Sequence, residues 1–220
     1  METLSPKVDA VITALNKSGS GQYDDYSLPA AELGNEKNRV VRLLAYNIEL
    51  LELMLVILED YNPDIALVIQ VFLPPTKIKD DVLSPLCLPR AKALTLTIMK
   101  ALYLKDDTQT PHPLLGEAVW DMIAFLVDEL KSTPVENFSR YCPKTPYALP
   151  ELLCHFWAPL LLAAFRDRHL MVNISDAHCT LAGVLLDRLV DILNECSLHP
   201  YDAAGLLALY KAAKSRQVTS

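Results

Sequence analysis

Residues 36–61 read "EKNRVVRLLAYNIELLELMLVILEDY", and the placement of their polar side chains decides the fold class. At about 100° per residue, Arg42, Tyr46, Glu49, Glu52 and Glu59 share roughly 140° of arc, and apolar residues fill the remainder. That pattern predicts a long helix, capped by Asn35 and ending near Tyr61, that is contacted from several sides as the centre of a bundle. Nowhere does the chain show strand alternation bounded by hairpin turns.

The pattern extends outward from this helix. Asn62-Pro63 breaks it and opens a compact apolar helix, "DIALVIQVFL" (64–73). With only six glycines, prolines punctuate the chain. Further helices are expected at about 90–104, 114–131, 150–168, 175–196 and 200–215. Between them, "LPPTKIKDDVLSPLCLPR" (73–90), "KDDTQTPHP" (105–113) and "STPVENFSRYCPKTPYALP" (132–150) read as irregular connections. Toward the N-terminus, Ser5 and Pro6 can start a short helix whose Val8, Val11, Ile12 and Leu15 follow the i, i+3, i+4, i+7 spacing of an apolar stripe. The next segment, "NKSGSGQYDDYSLPAAELGN" (16–35), holds three of the six glycines and no helical pattern. The expected organisation is an amphipathic arm (1–16), a flexible linker (17–34) and one α-helical domain (35–217). No repeat of fixed period occurs, which argues against a solenoid. The predicted fold is therefore all-α, an irregular bundle of about seven helices with a short detached N-terminal helix.

The chain has 220 residues, 51% of them apolar and 21% charged, with a net charge of −7. That is apolar for a soluble protein, and the surplus points to a thick core together with a surface buried between subunits or around a ligand. An acidic balance argues against a generic nucleic-acid binder, which needs cations to displace phosphate counterions. Arg90, Lys92, Lys100 and Lys105 scatter around their helix and form no basic stripe. The longest uncharged apolar run, Leu152 to Phe165, is 14 residues long, against the roughly 20 that a membrane span needs. Five cysteines without a CxxC pair predict free thiols in a reducing compartment. The opening "METLSPKVDA" lacks the basic-then-apolar order of a secretory leader. The expected location is the cytosol.

Three of the five histidines and two of the five cysteines fall within "ELLCHFWAPLLLAAFRDRHLMVNISDAHC" (151–179). Cys154 with His155 and His178 with Cys179 are adjacent pairs. Neighbours on a helix diverge by about 100°, so each pair can lend only one ligand to a common point. His155 lies on a polar arc between Glu151 and Arg166, and His169 sits where a helix C-terminus favours a cation. His178 falls on the apolar side with Leu181, Leu185 and Leu189 and predicts a core histidine in need of a hydrogen-bond partner. Pro159 interrupts its helix and leaves the carbonyl of His155 without its usual donor, a feature that bends helices and borders cavities. His155, Pro159 and His178 are thus the residues around which a cavity could form. No metal site is expected.

Glu117 with Asp121, and Asp187 with Asp191, are i, i+4 carboxylate pairs that could hold Mg²⁺, but each continues along an acidic stripe typical of a solvated face. Phosphate-loop, dinucleotide and nucleophile-elbow motifs are missing, so no cofactor is expected. The function expected from the sequence is a non-enzymatic interaction or scaffold module that self-associates into a homo-oligomer, binds a protein partner, or both, with Val8, Val11, Ile12 and Leu15 as a stripe that docks on its own domain, a second copy or a partner. The rival is an all-α enzyme or carrier with an apolar ligand cavity, for which Mg-dependent isoprenoid-type chemistry or a metal or cofactor site would be the chemistry.

Overall fold

The computed structural model describes residues 30–59, 62–105, 112–139, 148–167, 170 and 174–217, with residues 30–38, 139 and 217 described by backbone alone. All regular structure among them is helical. In chain order the helices are α1 (Ala30–Glu59), α2 (Pro63–Phe72), α3 (Pro75–Leu83), α4 (Pro89–Tyr103), α5 (Leu115–Ser132) and the single turn α6 (Glu136–Ser139). Then come α7 (Leu149–Leu152), a π turn (Leu153–Trp157), α8 (Ala158–Arg166), α9 (Asp176–Glu195) and α10 (Pro200–Gln217). The fold is all-α. No helix of the described residues is long and apolar enough to cross a membrane. The N-terminal stripe Val8, Val11, Ile12 and Leu15 lies outside the described residues.

The chain divides into two units, Met1–Leu53 and Met54–Ser220. In the second, prolines start helices at their first turn, where a missing N–H costs nothing: Pro63 in α2, Pro75 in α3, Pro89 in α4 and Pro200 in α10. The Asn62 side chain caps α2 by accepting from the backbone N–H of Asp64 at 2.9 Å. The hydroxyl of Ser175 accepts from the N–H of His178 at 3.2 Å and caps α9 in the same way.

Packing in this unit runs as a circuit. α3 lies against α4 and α5, α5 against α9, α9 against α10, α10 against α8, and α8 against α4. Inside it, Leu96, Met99, Met122, Ile123, Trp157 and Leu185 are fully enclosed. Each large apolar side chain buried this way contributes on the order of 1.5–3 kcal/mol. Arginines close the joints by donating to helix-end carbonyls. Arg188 reaches Leu130 at 3.1 Å and also Thr133, and Arg216 reaches Phe165 at 2.9 Å and Arg166 at 3.1 Å. Such donors satisfy carbonyls that the helix leaves unpaired and suit its negative end.

Three details differ from the sequence expectation. α1 starts at Ala30, inside the stretch read as linker, and runs on through Gly34 and Asn35. The run Ala30-Ala31-Glu32-Leu33 favours helix, and one interior glycine costs only about 1 kcal/mol. α1 is also not enclosed on several sides: between Arg39 and Glu59 only Leu58 is buried. Finally, residues 75–83 form a helix where a loop was expected. Pro75 supplies its start, and Ile78 and Val82, one turn apart, are both fully buried.

Candidate functional site

The most distinctive surface is α2. It is held by a narrow edge, with Ala66 and Ile69 buried and the Gln70 side chain donating to the carbonyl of Leu102 at 3.1 Å. At the end of α2, the Tyr103 hydroxyl donates to the carbonyl of Leu73 at 2.8 Å. The rest of the helix is apolar and open: Ile65 is 41% exposed, Leu67 60%, Val68 57%, Val71 78% and Phe72 65%. At about 100° per residue these five span roughly 160° of arc. The charge within that arc is Asp64, in the first turn, where a carboxylate suits the helix dipole. Five large side chains exposed to this degree present on the order of 500 Å² of apolar surface, at the upper end of what a monomer's largest patch shows.

α1 carries a second exposed series. Leu43, Tyr46, Leu50, Leu53 and Ile57 are all exposed, and their spacing of three, four, three and four residues is that of a heptad seam. Exposed cations, Arg39 and Arg42, lie toward its N-terminal end, and exposed carboxylates, Glu49 and Glu59, toward its C-terminal end.

The residues singled out around Pro159 are distributed over separate places. Ahead of the proline the helix widens into the π turn, where the N–H of Ala158 donates to the carbonyl of Leu153. A turn of wider register re-pairs the backbone ahead of a residue that has no N–H to donate. His155 lies at its exposed side, with Nε2 3.6 Å from Oδ1 of the buried Asp202 in the first turn of α10. Burial pushes the neighbouring Cys154 thiol up to about 12, with the Asp202 carboxylate adding to the shift. A nucleophilic cysteine needs the opposite displacement. His178 instead stacks flat on Trp120, with ring centroids 4.3 Å apart, and Trp120 meets Phe165 edge-on at 6.2 Å. The buried Nδ1 of His178 and Nε1 of Trp157 have no hydrogen-bond partner among the described residues. His169 lies outside those residues.

Two clefts open elsewhere. One, of about 750 Å³, runs between α8 and α10 over Ala204, Leu207, Ala208 and Ala212, rimmed by Arg166 and Lys211. The other, of about 280 Å³, is lined by Cys87, Lys92, Glu129, Thr133 and Leu152. Neither is lined by His155, Pro159 or His178. In the smaller one Lys92 is buried, with Nζ 3.5 Å from Glu129 Oε1 and 4.7 Å from the centre of the Phe125 ring. The sequence shows Lys92 as one of four cations scattered around their helix and does not mark it as buried. The wheel position beside Ala93 and Leu96 was its only signal.

The acidic pairs do not gather either. Asp121 accepts from Lys79 at 3.0 Å, and Asp191 lies 3.7 Å from Arg188. Among the described residues no group of three or more His, Cys, Asp or Glu could hold a metal ion. No family model matches this chain, and no curated protein is significantly similar to it.

Proposed function

We propose that this chain is a non-enzymatic helical interaction module of the cytosol that self-associates and buries the open face of α2 in the assembly. The single observation that carries this reading is that face: five large apolar side chains, each more than two-fifths exposed, on a helix held to its domain by Ala66, Ile69 and Gln70. A helix that is apolar nearly all round is normally enclosed, and water contact over this area is unfavourable by about 25 cal/mol per Å². The N-terminal stripe Val8, Val11, Ile12 and Leu15 is proposed as a further docking element in the same assembly. Free thiols at Cys87, Cys154, Cys179 and Cys196 are in keeping with a reducing compartment.

The test is the mass in solution of the double variant Val68→Asp/Val71→Asp beside the natural chain, by native mass spectrometry and light scattering. Both positions are exposed, so the helical circular dichroism and thermal midpoint should stay close to those of the natural chain. The natural chain is expected as a multiple of the subunit mass and the variant as the monomer. An unchanged multiple in the variant would remove α2 from the interface and the reading with it. The same spectra address the carrier alternative, which the nitrogens of Trp157 and His178 that lack a hydrogen-bond partner among the described residues favour: that reading requires extra mass on the native subunit that denaturation releases.

A further inference from the structure

The smaller cleft holds charged groups that its own walls leave incompletely paired. Lys92 of α4 is only 8% exposed, and its Nζ lies 3.5 Å from Oε1 of Glu129 on α5. A charge-assisted hydrogen bond is shorter, at about 2.7–2.9 Å, so the two charges face one another without closing. The ammonium also sits over the Phe125 ring, which attracts a cation but offers no lone pair. The second carboxylate oxygen, Oε2 of Glu129, is buried with no hydrogen-bond partner among the described residues. Buried charges offset their desolvation only when their remaining donors and acceptors are met, and this pair has both to spare. Ser132 and Thr133, at the same wall, each donate their one hydroxyl hydrogen to the carbonyl of Glu129 at 2.9 Å. Their oxygens keep lone pairs. The cleft therefore offers one donor group, the Lys92 ammonium, and a surplus of acceptors.

We infer that this cleft is a binding site for a small neutral molecule that bears a primary carboxamide on an apolar or aromatic group. A primary carboxamide mirrors the inventory of the cleft. Its carbonyl accepts from Lys92, and its two N–H groups donate to the Glu129 carboxylate and to a hydroxyl oxygen. The terminal torsion of a glutamate is broad, so a turn of the carboxylate brings either oxygen to the ligand. A carboxylate ligand would meet Lys92 but set acceptors against Glu129 and the hydroxyl oxygens. A cationic ligand would satisfy those acceptors and be repelled by Lys92. A neutral amide avoids both conflicts and brings no charge to desolvate. Pro89, Leu149 and Leu152 supply apolar wall for the rest of the molecule. At about 280 Å³, the cleft falls just under the range of about 300–1,000 Å³ that drug-sized ligands fill, and it suits a smaller one. This site goes beyond the proposed self-association and does not rest on it, since none of its residues lies on α2.

The closing experiment titrates benzamide into the isotope-labelled full chain and follows its backbone amide resonances. Benzoate, benzamidine and N,N-dimethylbenzamide serve as relatives of similar shape. Benzamide is expected to bind with a dissociation constant of about 1 mM or below. The shifts should fall at residues 87–92, 129–133 and 149–152, which border the cleft. Each relative is expected to bind about tenfold more weakly or worse, because it carries a charge or lacks the N–H groups. The double substitution Lys92→Met/Glu129→Met removes both charges at once and strands neither. It should weaken benzamide binding about tenfold or more, with circular dichroism checking that the variant is folded. Should that variant fail to fold, the ligand series and the shift map on the natural chain decide alone. No binding of benzamide at about 10 mM, equal affinity for a charged relative, or shifts centred elsewhere overturns the site. So does a folded double variant that binds benzamide as the natural chain does.

Discussion

Burial pushes the Cys154 thiol up to about 12, and the Asp202 carboxylate adds to that shift. Burial alone does the same to the Tyr103 hydroxyl, also to about 12. Both groups are neutral when protonated, and the folded chain holds their protons more tightly than the unfolded chain, whose values are 9.0 and 10.0. Below pH 9 both states are protonated and folding is unaffected. Between pH 9 and 12 the unfolded chain loses these protons first, so stability present at neutral pH is progressively lost as pH rises. The urea midpoint should therefore stay flat from pH 7 to 9 and then fall. Tyr103→Phe should flatten part of that fall, though it also removes the bond to the Leu73 carbonyl. A midpoint that held steady to pH 11 would contradict the shifts at both groups. At neutral pH, Cys154 should resist alkylation in the native protein.

At the scale of the element, what the sequence disclosed depended on how many turns carried the signal. α5 and α9 are long, with carboxylates opposite leucines, and both were legible from their wheels to within a residue or two. α3 is a nine-residue helix in a stretch dominated by prolines and charges. Its apolar signal is Ile78 and Val82, too few for periodicity to register. The structure makes that pair core, so Ile78→Ala should cost about 2–5 kcal/mol through lost burial and the cavity left behind. A loop residue in the same position would cost well under 1 kcal/mol, and chemical denaturation separates the two outcomes. Pro159 was legible as a disturbance, but its local answer, a π turn over Leu153–Trp157, was not, because periodicity cannot say where a missing donor is absorbed. The α2 face was legible only in composition. "DIALVIQVFL" reads the same whether its leucine and valines meet their own core or another chain, and no wheel distinguishes the two.

At the scale of the whole molecule, two effects on assembly oppose one another, and their sizes decide which governs the response to salt. Each copy carries a net charge of −7, so two copies repel over the Debye length, about 30 Å at 0.01 M salt and about 10 Å at 0.1 M. Ion pairs formed across an assembly attract, but exposed pairs contribute only about 0.2–1 kcal/mol each and are screened by the same ions. The apolar face of α2 feels no Coulomb screening, and added salt leaves its contribution intact or raises it. Relief of the overall repulsion should therefore outweigh loss of the pairs. The dissociation constant of the proposed assembly should fall about threefold to tenfold between 0.01 M and 0.3 M sodium chloride. Sedimentation equilibrium at the two salt concentrations reads this directly. A constant that rose with salt would mean that charge pairing drives the assembly, and the apolar face of α2 would then need another occupant.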